Sequence, residues 1–457
     1  MNLLVKDKRF YKKMAVIAIP ISLQSMITIG VNMTDTVMVG KLGETSLSAT
    51  ALANQFVNIY QICCMGIAMG ASVLTSRFWG MQDITSLKKT ITLMLRLCIV
   101  LAVLFMLPTI LIPQLLMRMY SSDSAVIAQG VQYFKWMVYC YFLQGMTMTC
   151  TIVLRSVGQV NFPLFTSIGS FFVNILFNYM FIFGKLGVPR MEVEGAGVGT
   201  LIARVFEFSL ICGYFLFVDR KIGYRLKDLR MKCNSLIKDY VSISIPVFVS
   251  DSLLALGTSA VAMVMGRIGT GFVSANSITV VTQQLTTVII QGICHASCIM
   301  TGHTLGQGER EKAQQQAWTF LILGLVVGIL GGGLIKVLSR PIIGLYNITP
   351  ETAQIAGELM DAIAFIVIFQ SMNSILTKGV LRGGGDTKFL MVADIIFLWA
   401  ASLPLGILAG LVWHLDAFWI YVFLKIDQIC KSIWCVFRLR SGKWIKTFSK
   451  EKMNHAK

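Results

Sequence analysis

Charge is scarce in this chain. Only 14% of its 457 residues are Asp, Glu, Lys or Arg, where an ordinary soluble domain has about 25%. Hydrophobic residues make up 55%, and the mean hydropathy is +0.71. A water-soluble interior grows too slowly with length to hide that much apolar surface. Lipid must be the solvent for most of it. Histidine is rare too, with four in the chain, and there is no CxxC pair and no HExxH, GxSxG, CxxCH or Walker motif. These absences argue against a metal centre, a disulfide framework, an enzyme active site and ATP hydrolysis on this chain. The 11 Cys lie mostly inside apolar runs and read as small hydrophobes.

What is present is a series of long apolar runs. Runs of about 18 residues or more, the length needed to cross a bilayer, number twelve. Their limits are 14–40, 50–76, 91–117, 126–153, 162–184, 196–218, 240–266, 276–302, 316–338, 355–377, 389–412 and 417–437. No small-residue cleavage site follows the first run, which therefore reads as a span and not a removable signal peptide. The net charge of +18 does not point to nucleic acid, because the basic residues sit between the apolar runs, as in loops at a lipid surface. An even number of spans puts both termini on one side. The loops on that side carry 29 Lys and Arg against 8 on the other, with three more inside spans. The positive-inside rule then predicts cytoplasmic termini.

The chain repeats itself. At an offset of 226, Pro20 falls on Pro246, VGKLG (39–43) on MGRIG (265–269), Gly66 on Gly292, Gly80 on Gly306 and Asp83 on Glu309. At 227, Leu154-Arg155-Ser156-Val157-Gly158 falls on Leu381-Arg382-Gly383-Gly384-Gly385. The matches are Pro, Gly and charge at loop positions and keep their order. The expected architecture is all-α and polytopic, with two six-helix lobes related by a parallel pseudo-twofold repeat. The N-lobe covers 1–218, a cytoplasmic linker 219–238, and the C-lobe 239–457 with a basic tail. In transporters built this way the substrate site lies between the halves near the midplane.

Ionisable side chains inside spans cost at least about 2.5–3.5 kcal/mol on insertion scales and are functional candidates by default. Asp35 stands out, with no basic residue one turn away. Gln24, Thr28, Asn32 and Asp35 share one helical face. Such a stripe needs a wet cavity or a partner helix. Pro20 earlier in the span frees a carbonyl and is a candidate hinge. Asp251 in span 7 is either functional or half of a structural pair. Asp394 in span 11 is a weaker candidate. Arg204 with Glu207, and Asp427 with Lys431, are spaced as neutralised helix pairs. Asn174 and Asn178 lie one turn apart in span 5. The stripes Asn54, Asn58, Gln61 on span 2 and Gln283, Gln284, Thr287, Gln291 on span 8 are either interhelical glue or cavity lining. The 25 Met residues suit core packing or a promiscuous binding surface.

Several segments carry a resemblance over roughly 10–440. They are Pro20 with TDTVMVGKLG (34–43), LRSVGQVNFP (154–163), NILFNYMFIFG (174–184), EGAGVGTLIAR (194–204), IPVFVSD (245–251), MGRIGT (265–270) and LRGGGDTKF (381–389). Together the chain resembles the multidrug and toxic compound extrusion (MATE) family of secondary transporters. The resemblance implies export of cationic or amphipathic compounds from the cell, by a plasma-membrane monomer, in exchange for H⁺ or Na⁺ and without a cofactor. Carried over by position, it implies an ion site at Asp35, Asn174, Asn178 and Thr200. It also implies a substrate or second coupling site at Asp251, to which the polar stripes add Asn58 and Gln284. Some relatives have Asp where this chain has Asn178, which leaves one carboxylate in the site. The alternative functions are a flippase for a lipid-linked saccharide or amphipathic lipid, and an intramembrane aspartyl enzyme.

Overall fold

The computed structural model describes residues 4–447, except Leu345 and Asn347, with backbone only at Thr270 and Leu285. The end of the expected basic tail, from residue 448, lies outside the described residues. Helices follow one another almost without interruption. In chain order they are α1 (Lys8–Gly40), α2 (Glu44–Gly80), α3 (Ile84–Leu111), the short α4 (Pro113–Arg118), α5 (Ser124–Ser156), α6 (Asn161–Phe183) and α7 (Glu192–Gly213). The second half has α8 (Asn234–Ile268), α9 (Thr270–Gly306), α10 (Arg310–Ile343), α11 (Pro350–Ser374), α12 (Thr387–Asp394), α13 (Leu403–Ile407), α14 (Ala417–Leu424) and α15 (Ile426–Arg440). Wide π-helical turns carry α11 on to Leu381, join α12 to α13, and extend α13 to Val412.

Among the described residues, eleven helices are long and apolar enough to cross a membrane. The twelfth expected span is present but broken. The Lys425 N–H closes α14 on the Tyr421 and Val422 carbonyls, and the Gln428 N–H opens α15 on the Lys425 carbonyl. Neither piece reaches spanning length alone. A break in lipid leaves carbonyls without partners, and here Ser402 Oγ donates to the Leu424 carbonyl at 2.6 Å.

The repeat is visible in the local geometry of the turns. Gln82 and Gly308, 226 apart, both have left-handed φ, 60° and 81°. Gly158 and Gly385, 227 apart, do the same at 80° and 86°. Each of these glycines sits in a turn closed by the same pair of bonds. Gly158 N–H donates to Arg155 O and Gln159 N–H to Leu154 O, while Gly385 N–H donates to Arg382 O and Asp386 N–H to Leu381 O. The Asp83 carboxylate caps α3 by accepting the Ser86 N–H at 3.0 Å, and its repeat partner Glu309 occupies the same position before α10.

Two compact units emerge, and each borrows a helix start from the other half of the sequence. One is Leu23–Ser244 and the other joins the residues up to Ser22 to those from Ile245 onward. In the second unit, Phe10 packs on Phe320 at 5.3 Å, Val5 N–H donates to Thr319 Oγ1, and Gly292 lies so close to Ser22 and the Ala18 carbonyl that no Cβ fits. In the first unit, Tyr240 donates to the Ile67 carbonyl and Gly70 meets Ser244 in the same tight fashion. The unit boundaries fall two residues after Pro20 in α1 and two before Pro246 in α8.

Residues 219–238 are folded against α3 in the first unit. Asp219 accepts the Ile222 and Gly223 N–H groups, Arg96 donates to the Leu229 and Met231 carbonyls, and Lys88 pairs with Asp228 at 2.9 Å. Burial pushes the Asp228 carboxyl up, but the Lys88 ammonium and the Arg225 N–H outweigh it and hold it below the usual carboxylate range.

Candidate functional site

The first unit encloses a cavity of about 350 Å³ whose wall is built from α1, α2, α5, α6 and α7. The polar stripe of α1 faces it with Thr28, Asn32 and Asp35. Asn54, Asn58 and Gln61 of α2 also line it. The span 2 stripe thus lines a cavity, and Asn54 is interhelical glue as well, accepting from Tyr133 of α5. Gln24 stands one turn below and is spent on packing: it donates to Ser167 at 2.8 Å and accepts from Arg155.

Asp35 is joined to two of the other three ion-site candidates, and the third lines the same cavity. Asn178 Nδ2 donates to Asp35 Oδ1 at 2.6 Å and reaches Asn174 Oδ1 at 3.3 Å. Asn174 and Thr200 line the same cavity. The Asn178 carbonyl oxygen is buried without a hydrogen-bond partner, packed against Gly199 of α7. Arg204 and Glu207 also face the cavity but neutralise each other at 2.8 Å. Asp35 is therefore the carboxylate that carries the cavity's negative charge. Its chemistry is that of one anionic oxygen pair among neutral amide and hydroxyl oxygens.

Small residues on α7 allow this assembly. A Cβ at Gly199 would stand 2.1 Å from Asn178 Oδ1 and 2.8 Å from its backbone nitrogen. We expect Gly199→Ala to push α6 from α7, to displace Asn178 from Asp35 and to cost about 1–3 kcal/mol. A fall in melting temperature in detergent together with loss of transport is the expected result. An unchanged melting temperature and rate would mean that this close approach does not hold the site.

Tyr133, whose hydroxyl donates to Asn54 Oδ1 at 3.3 Å, also lines the cavity and escaped sequence reasoning. Its neighbours Gln132 and Lys135 gave it no polar stripe of its own, and a tyrosine ring does not announce which way its hydroxyl turns. Gln284 on α9 is exposed and does not line this cavity, while its neighbour Gln283 donates to Gln370 at 2.6 Å and so acts as glue. Asp251 belongs to the second unit and is held by Arg382 at 3.0 Å, both side chains largely buried. The repeat carried a signal for this pair. At an offset of 227 Arg382 falls on Arg155, and Arg155 likewise bonds a residue of α1, Gln24, which in the 226 register of spans 1 and 7 falls on Ser250, next to Asp251. Gln24's second contact, to Ser167, reappears as Ser250 donating to Asp394. Pro20 is buried within an unbroken α1.

Known proteins agree with this frame. The profile of the MatE family matches residues 20–180 and 246–429, which covers both halves of the repeat. The "Uncharacterized transporter YisQ" of Bacillus subtilis is 24% identical over 419 residues, covering 90% of each chain. The "Probable multidrug resistance protein NorM" of Thermotoga maritima is 23% identical over 438 residues, covering 95% of this chain and 93% of that one. Among solved structures, the Vibrio cholerae MATE transporter VcmN in its bent form superposes with a TM-score of 0.86 at 16% identity, covering 95% and 97% of the two chains. A Pyrococcus furiosus transporter, described as having a binding pocket of reverse polarity, gives 0.84 at 18% identity, covering 97% of this chain and all of that one. On its sequence profile, its length-spanning relatives and its fold, this chain belongs to the MatE family and is a multi-pass membrane transporter, not an enzyme.

Proposed function

We propose that this transporter is an antiporter that exports cationic or amphipathic compounds across the plasma membrane in exchange for H⁺ or Na⁺, with Asp35 as the coupling group. The observation that carries this reading is the carboxylate of Asp35, without an ion-pair partner among the described residues, facing a polar cavity beside Asn178, Asn174 and Thr200. When the cavity opens outward, Asp35 takes up a cation and loses its charge. When it opens inward, the cation leaves and the charge returns. Alternation needs α1 to bend, and Pro20 interrupts its backbone hydrogen bonding fifteen residues before Asp35. The excess of Lys and Arg on one set of loops supports cytoplasmic termini.

The driving force is adequate. For a substrate without net charge, one H⁺ or Na⁺ entering down about 100 mV releases about 2.3 kcal/mol, equal to a roughly fiftyfold concentration ratio; exchange for a monovalent cation moves no net charge and draws on the ion's concentration gradient alone. In proteoliposomes loaded with a cationic dye, we expect uphill export under an imposed pH gradient or an imposed Na⁺ gradient, with the more effective one identifying the ion. Export at the rate of protein-free vesicles under both gradients would sink the antiport reading.

A further inference from the structure

The second unit holds a cavity of its own, about 210 Å³. It is the repeat counterpart of the first with different charges. At an offset of 227, Asp394 falls on Ser167, Asp427 on Thr200 and Lys431 on Arg204. All six line their respective cavities. At 226, Val261 stands where Asp35 does, and it too lines the wall. The second cavity has therefore lost the lone carboxylate of the first.

It has gained cations instead. Lys378, Arg382, Lys425 and Lys431 line it, against Asp394 and Asp427. Both carboxylates grip the same lysine, Lys431, at 3.0 and 2.9 Å, and Arg382 is held by Asp251. Asp394 also accepts from Ser250, and Asp427 from Gln428. Lys378 and Lys425 have no ion-pair partner among the described residues. Counting Asp251, the cluster is left with a surplus positive charge. Lys425 is also the residue at which span 12 breaks. It caps α15, a 15-residue helix whose first turn supplies Asp427 and Gln428 to the cavity wall. A helix start adds partial positive charge, and broken helices in transporters use such starts to hold anionic substrate groups.

We propose that this cavity is an anion subsite, in which Lys425 and Lys378 receive the carboxylate of an amphipathic substrate. The substrates that fit best are then zwitterionic or acidic amphiphiles, not simple cations. The word substrate rests on the export reading above, but the subsite is measurable as binding without any gradient. The probes are rhodamine 6G, an ethyl ester, and rhodamine 19, the same dye with a free carboxylate. Fluorescence polarisation with the full-length protein in nanodiscs should show tighter binding of rhodamine 19. Lys425→Gln should weaken rhodamine 19 by about tenfold or more, the worth of one charge-assisted hydrogen bond, with the ester changed less than about twofold. Lys425→Arg should keep the preference, and Lys378→Gln should reproduce the split without touching the helix break. Equal affinity for the two dyes in the unmodified protein, or equal loss of both in the glutamine variants, overturns the proposal. A persisting carboxylate preference with no export under any gradient would instead remove the antiport reading and leave the subsite standing.

Discussion

Replacing Asp35 by Asn is expected to reduce gradient-driven export to the leak of protein-free vesicles while leaving insertion and folding at wild-type levels. The substitution removes one negative charge and little else. Asparagine keeps an oxygen that can accept the Asn178 N–H now given to Asp35. An amide also costs less than a carboxylate to place in a membrane span. What disappears is the ability to bind and release a cation in turn, because an amide does not titrate and contributes no net charge to a Na⁺ site. Two measurements separate these effects: a size-exclusion profile for folding, and dye export from proteoliposomes for coupling. Uphill export by Asp35→Asn at the wild-type rate would show that coupling resides elsewhere.

The second large effect is expected at the Asp251–Arg382 pair. Its two side chains are 16% and 5% exposed and 3.0 Å apart, so removing one partner strands the other charge. Arg382→Met is expected to cost about 3–5 kcal/mol of stability. In the double variant Asp251→Asn, Arg382→Met no charge is stranded, and most of that loss should be recovered. A double-mutant cycle on unfolding in detergent reads the coupling directly. If the two losses simply add, the pair is not what holds α8 to the end of α11. Asp251→Asn that folds and transports normally would take Asp251 off the list of coupling residues as well.

The site in the first unit was legible because it breaks the repeat with polar residues. In the repeat alignment Asp35, Asn174 and Asn178 each fall on an apolar residue, Val261, Ala401 and Leu405. Polar atoms in lipid have to be satisfied together, so they meet in one cavity. Tyr133 was not legible, because an aromatic ring carries no sign of which way its hydroxyl turns. Asp251 was legible as a charge and as half of a pair, but its partner was not. Its partner was read as a loop arginine, whereas π-helical turns carry α11 on to Leu381, directly before Arg382, and Arg382 is buried. The helix pairs Arg204–Glu207 and Asp427–Lys431 were readable from spacing alone. The third member of the second pair, Asp394, comes from a different span, and no local spacing encodes that. The break at Lys425 was hidden for a similar reason. The carbonyl it frees, that of Leu424, is satisfied by Ser402, some twenty residues earlier in the chain.

The exchanged helix starts of α1 and α8 speak to ancestry. Residues up to Ser22 complete the unit that begins at Ile245, and the segment ending at Ser244 completes the one that begins at Leu23. Two separate copies of a six-helix precursor, each lending its amino-terminal segment to the other, would make the same trade as a domain-swapped dimer. Joining them by a tether such as 219–238 would turn that reciprocal loan into a covalent heirloom. Once joined, the copies no longer needed to stay alike, and one was free to keep a lone carboxylate while the other accumulated lysines.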